Sequence, residues 1–281
     1  MNALVETPAI LEVPVDDGVI DVTVYGDSAD ASVTILCLHG WTLDQRSFEF
    51  QRHLASPPLS LATFDRRGFG ASPLEPNFTR EVEDLHYISR ALPGNVFVYG
   101  VSQGARLALR ATALGRVAPA GLILQGGHLD GFTSEEQPAE IIPFDDYRAF
   151  LTSGNIDAFR QSWCRHPLVS AGFDGTTNVE PMSYVSHYRG MDLLAPDALP
   201  VPMDLREQVG ALQIPVMTIV GTLETPSRKA HAAAIEELTG AQRLSVDGGG
   251  HLCHLSHPER VNPYLHAWCT EVSARVGDGV E

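Results

Sequence analysis

The chain has 281 residues, of which 44% are hydrophobic and 19% charged. That is apolar matter enough for a large buried core, with too little charge for a disordered chain. A formal net charge of -16 sets nucleic acid and anionic membranes aside as main partners, because both repel an acidic surface.

The first stretch, "MNALVETPAILEVPV", lacks a basic start followed by a long apolar run, so it does not read as a signal peptide. No apolar run approaches the roughly 20 residues that a membrane helix needs. The expected location is the cytoplasm. The four cysteines, Cys37, Cys164, Cys253 and Cys269, form no CxxC pair and suit a reducing compartment. Composition is compatible with a homo-oligomer but does not address oligomeric state.

Strand patterns recur along the chain. "VIDVTVYG" (Val19–Gly26) alternates and ends at glycine. "VTILCLHG" (Val33–Gly40) is continuously apolar, as a strand buried on both faces must be. "LATF", "NVFVYG", "AGLILQGG", "IPVMTIVG" and "AQRLSVDGGG" continue the series. Helical periodicity falls between them, in "TREVEDLHYISRAL", "SQGARLALRATALG" and "SRKAHAAAIEELTG". Gly115 and Gly240 close the last two. The final helix is expected near Pro258.

This alternation predicts an α/β fold, a mostly parallel eight-stranded sheet with helices on both faces. The pattern breaks after Leu129. Two helix-like pieces around "SGN" and a proline-rich "APDALPVP" follow. We read an inserted helical cap over residues 130–208, with the core formed by residues 1–129 and 209–281.

Chemistry concentrates at "GVSQGA", Gly100–Ala105. Small residues flank Ser102 where a sharp strand-to-helix turn would crowd the backbone. Such a turn exposes the serine as a nucleophile, and the N–H of Gln103 can meet a developing oxyanion. "LHGWT" ends a buried strand upstream, which offers the Trp41 N–H as a second donor. His39 in that loop is expected to satisfy backbone groups.

A general base must follow the nucleophile in chain order. His251 sits just past "SVDGGG", with His254 and His257 close behind. We assign the base to His251, keep His254 as the alternative, and expect the two later histidines to face solvent. All three sit on one loop–helix junction, so no metal site is read and no cofactor is expected. The orienting acid is Glu224 in "IVGTLETPS", with Asp130 in "LQGGHLDG" as the alternative.

"LHGW", "DRRGFGAS", "GVSQGA", "IVGTLE" and "GGGHLCHLSHPE" together resemble the α/β-hydrolase fold superfamily, in its lidded, cofactor-independent serine hydrolase branch. Esterases, lactonases, enol-lactonase relatives and cofactor-free haloperoxidases belong to that group. The resemblance runs from about Val33 to Pro258. It implies a triad of Ser102, Glu224 and His251, and an oxyanion hole from the Trp41 and Gln103 N–H groups. Glu224 departs from the family's usual aspartate. Asp65 and Arg66 are expected to brace loops.

The implied reaction is hydrolysis of a small-molecule carboxylic ester or lactone through an acyl-enzyme. Ser102 disfavours members with an aspartate nucleophile, the dehalogenases and epoxide hydrolases. Val101 and Leu252 stand where hydrolases of ring-fission diketones carry Asn and Trp, which disfavours carbon–carbon cleavage. A cofactor-free oxygenase, a perhydrolase or an acyltransferase on the same scaffold stays open, and a non-enzymatic binding module ranks last. Phe150, Phe159 and Trp163 are the expected wall of an apolar substrate pocket.

Overall fold

A computed structural model describes residues 8–26, 31–173, 179–195 and 198–277. Eight strands form one sheet: β1 (Ala9–Val15), β2 (Gly18–Tyr25), β3 (Val33–Leu38), β4 (Leu59–Phe64), β5 (Asn95–Val101), β6 (Gly121–Gln125), β7 (Val216–Gly221) and β8 (Gln242–Val246). Their order is β1-β2-β4-β3-β5-β6-β7-β8. The β1/β2 and β2/β4 pairs are antiparallel, and the remaining pairs are parallel.

The four strands β3, β4, β6 and β7 are buried at every position, as the continuous apolar runs require of strands covered on both faces. β1 was not among the strand-like runs read above. It is an edge strand, mostly exposed, with Pro14 in it. It therefore carries little of the apolar signal that marks an inner strand, and its edge position tolerates proline. A turn at Asp16–Asp17 closes its hairpin with β2.

One sheet face is covered by α1 (Phe78–Ala91), α2 (Gln103–Ala113) and α9 (Pro226–Thr239), whose buried residues join Val98, Leu122 and Leu124 in one apolar cluster. The C-terminal helix α11 (Pro258–Gly277) covers the other with Val261, Leu265, Trp268 and Cys269. Tyr147, Phe159 and Trp163, from the helical segment between β6 and β7, belong to that second cluster, so that segment and this layer share one interior. No helix among the described residues is long and apolar enough to cross a membrane.

Between β6 and β7 lie α3 (Phe144–Thr152), α4 (Ile156–Trp163), α5 (Pro167–Ser170), α6 (Pro181–Val185), α7 (Met191–Leu194) and α8 (Arg206–Gly210). α10 (Cys253–Ser256) is a single turn before α11. The Trp41 ring is the hub that joins these helices to the sheet end. It meets Phe144, Tyr147, Phe159, Trp163 and Tyr188 with centroids 4.8–6.4 Å away. Trp41 Nε1 donates to Asp192 Oδ2 at 2.7 Å, and Trp163 Nε1 donates to Thr42 Oγ1 at 2.8 Å. Each such aromatic contributes about 1.5–3 kcal/mol on burial, so the nest holds these helices firmly.

Candidate active site

Ser102 caps α2 in a left-handed backbone conformation, φ 55° and ψ −115°. A non-glycine residue there costs about 1–3 kcal/mol, and the surroundings must enforce it. A Cβ on Gly100 would lie 2.5 Å from the Ala105 Cα, and one on Gly104 would lie 2.2 Å from the Leu38 carbonyl oxygen. Only glycine lets β5 turn this sharply into α2 against β3. The Ser102 N–H still donates to the Gln125 carbonyl at 2.7 Å, which ties the turn to β6. Ser102 is half-buried and lines a cavity of about 490 Å³ between the sheet end and these helices.

His251 lines the same cavity from the opposite loop. Its Nδ1 donates to Glu224 Oε2 at 2.6 Å, and both side chains are nearly inaccessible, at 3% and 2%. Because Nδ1 carries that proton, Nε2 is the lone-pair nitrogen of the neutral ring. It is buried and has no hydrogen-bond partner among the described residues. Burial pushes the Glu224 carboxyl up. The charge and hydrogen bond of His251, the Thr225 N–H at 2.7 Å and the Arg228 charge outweigh it and leave the carboxyl below its ordinary range.

Gly126 makes room for this pair. It has φ +59°, and a Cβ there would lie 2.3 Å from the His251 Cε1. Nothing in "LQGG" marked that glycine as part of the site, because the contact spans 125 positions in sequence.

Trp41 and Gln103 both line the cavity beside Ser102. Gln103 opens α2, so its N–H is one of the helix-start donors without an intrahelical acceptor. Thr42, the residue after Trp41, also has a positive φ of 65°. For a β-branched residue that is a true outlier. The Trp163 bond to Thr42 Oγ1 helps to hold it, so α4 braces the backbone next to Trp41.

The structure places the other sequence-read residues as follows. Asp130 is not near His251. It accepts Arg106 Nε at 2.8 Å and Arg110 Nε at 2.7 Å, an anion shared by two guanidinium groups. His254 does not face solvent, as the sequence reading expected. It is fully buried, and burial, then the charge of His251, pushes its pKa down to about 3. Gln125 explains the burial. Its Nε2 donates to the His251 carbonyl at 2.8 Å and to His254 Nδ1 at 2.9 Å, while its Oε1 accepts the Tyr99 hydroxyl at 2.6 Å. This network under the loop holds the His251 backbone, and the sequence carried no signal for it. His257 turns to Ser256 Oγ at 2.8 Å, so the three histidines do not converge on a common point.

Of the expected pocket wall, Trp163 lines the cavity, whereas Phe150 and Phe159 do not. Phe159 is fully buried behind Trp41, packed at 4.9 Å on Tyr147 and 5.0 Å on Tyr188. Phe150 packs against the same interior. For Phe159, the Trp41 ring takes the place beside the cavity, at 6.0 Å between centroids. The cavity wall instead includes Leu168, Leu252, Ile142 and Phe144.

His39 and the "DRRGFG" loop brace the site. The His39 Nε2 accepts the Arg66 N–H at 3.0 Å, and its Nδ1 donates to the Gly40 carbonyl at 2.9 Å. Arg66 reaches Glu81 Oε2 at 2.6 Å and Gln103 Oε1 at 2.9 Å. Asp65 accepts the Gln45 and Ala71 N–H groups, each at 2.8 Å.

Sheet order, elbow and acid–histidine pair define one class of protein. Residues 35–263 match the alpha/beta hydrolase family, to which the chain belongs. A curated relative is the pimeloyl-[acyl-carrier protein] methyl ester esterase of Xanthomonas campestris pv. campestris, 28% identical over 247 residues, or 83% of this chain and 93% of the relative. Among solved structures, MenH from S. aureus superposes with a TM-score of 0.73 at 18% identity, covering 89% of this chain and 98% of its own. The esterase EaEST from Exiguobacterium antarcticum gives 0.70 at 19% identity, covering 92% and 98%. Those two likenesses speak to the fold.

Proposed function

We propose that this protein is a serine hydrolase of small-molecule carboxylic esters or lactones, acting through an acyl-enzyme. The observation that carries the reading is the His251–Glu224 pair at 2.6 Å, with Nε2 unpartnered among the described residues and with His251 and the strained Ser102 turn lining one cavity. The esterase named among its relatives supports the ester class.

In this reading His251 Nε2 takes the Ser102 hydroxyl proton as Oγ attacks the carbonyl carbon. The oxyanion is met by the N–H groups of Trp41 and Gln103, each donor being worth about 2.7–4 kcal/mol of barrier. The imidazolium is steadied by Glu224, which stays ionised because its pKa is held low. It then returns the proton to the leaving alcohol. Water, activated by the same nitrogen, releases the acid and restores the serine. Metal and cofactor play no part in these steps. The substrate is a small molecule, and the acidic surface argues against nucleic acid or an anionic membrane as a partner.

A fluorophosphonate probe tests the nucleophile. It is expected to label wild type and to leave Ser102→Ala unlabelled. Equal labelling of both proteins overturns the assignment.

A further inference from the structure

The cavity wall carries a cation that the proposed reaction does not use. Arg228 lies in the first turn of α9, half-buried, and lines the cavity with Ser102 and His251. Its Nη1 meets His128 Nδ1 at 3.2 Å. That ring is neutral and accepts the bond, since burial and then the charges of His231, Arg106 and Arg228 push its pKa down to about 2. Glu224, Glu136 and Glu140 attract Arg228 from a distance, but none forms an ion pair with it among the described residues. Glu224 is turned to His251, Glu140 accepts the Ser227 N–H at 3.2 Å, and Glu136 is exposed on the cavity wall.

This is a costly place for a guanidinium. Burial disfavours its charge, and the start of a 14-residue helix is the positive end of the helix dipole. A second arginine stands close. Arg106 lies four residues along α2 from Ser102, about 6 Å of helix rise, and lines the same cavity. Arg106 is paired with Asp130, but Asp130 is already shared with Arg110, so these three side chains together carry one positive charge.

We propose that Arg228, with Arg106 beside it, forms an anion subsite in the catalytic cavity. The preferred substrate is then an ester bearing a second, anionic group, a carboxylate or a phosphate. The inference rests on the ester-hydrolase reading above. The anion supplies the partner that Arg228 lacks, through charge-assisted hydrogen bonds. The apolar residues of the same wall, Ile142, Phe144 and Leu168, take the body of the substrate.

The test compares kcat/KM for matched pairs of esters on wild type, R228Q and R228K. One pair sets the monomethyl ester of a dicarboxylic acid against the methyl ester of the monocarboxylic acid of equal length. The other sets the acetyl ester of 3-hydroxypropyl phosphate against propyl acetate. Wild type is expected to prefer the charged member of at least one pair by about tenfold, the scale of one hydrogen bond to a charged group. That preference is lost in R228Q and partly kept in R228K. The pair in which it appears tells carboxylate from phosphate. No preference in wild type overturns the subsite, and so does a preference that R228Q leaves intact. An equal loss on charged and neutral members overturns it too, and makes Arg228 an electrostatic support of Glu224. Turnover of the neutral esters by wild type against S102A is read separately. Failure of the hydrolase reading is therefore distinct from failure of the subsite.

Discussion

Replacing Gly126 by alanine should disable the site through one methyl group. The added Cβ would stand 2.3 Å from His251 Cε1 and 2.5 Å from Nδ1. Carbon atoms in contact sit about 3.5–4.0 Å apart, so the ring must move by more than about 1 Å. A displacement of that size costs on the order of 10²-fold in rate when the displaced group is catalytic. The left-handed backbone adds its own penalty of about 1–2 kcal/mol for any residue with a Cβ. Gly115→Ala separates the two effects. Gly115 has φ +69° with nothing within 4 Å of an added Cβ, so that variant carries the backbone penalty without a collision. Both variants should show a lowered thermal midpoint, by about 2–4 °C per kcal/mol for a chain near this size. Only Gly126→Ala should lose about 10²-fold in kcat on a neutral ester, because only it moves the imidazole. The reasoning is refuted if Gly126→Ala turns over within threefold of Gly115→Ala.

The two acids should separate by assay. Glu224→Gln should lower kcat by about 10³–10⁴-fold with the fold intact, since the amide favours the wrong imidazole tautomer. Asp130→Asn should instead lower stability by about 3–5 kcal/mol in urea unfolding, because Arg106 and Arg110 lose their shared anion. The opposite pattern would return the acid to Asp130. The third expectation concerns pH. His254 takes up a proton only near pH 3 when folded, whereas an ordinary histidine does so near 6.5. Between those values the unfolded chain holds the extra proton, so His254 contributes stability that is fully present above about pH 6.5 and is lost as pH falls toward 3. His39, also pushed down to about 3, adds in the same direction. Unfolding free energy measured from pH 6 to 4 should therefore fall less steeply in His254→Phe, by about 1.4 kcal/mol per pH unit. An unchanged slope would show that His254 is not kept neutral by the fold.

The sequence by itself determined what local pattern can encode. Buried strands announce themselves as unbroken apolar runs. The Ser102 turn shows in its spacing of small residues, because steric crowding within six residues demands it. The positions of Glu224 and His251 followed from strand ends and chain order. The edge strand β1 escaped because an exposed strand with a proline carries little apolar signal. What only the tertiary structure decided depends on contacts between distant segments. It set the imidazole against Glu224 and gave Asp130 to two arginines. It buried His254 under the Gln125 network, an outcome that one neutral polar side chain from β6 controls. It put the Trp41 ring, not Phe159, beside the cavity, although the helical period around Phe159 was legible. It also brought Arg228 to the cavity wall. Periodicity states which face of an element is apolar, but which partner that face meets is settled when the layers pack. The candidate residues Ser102, Glu224 and His251 were therefore readable along the chain, whereas the shape and charge of the space around them are properties of the packed molecule.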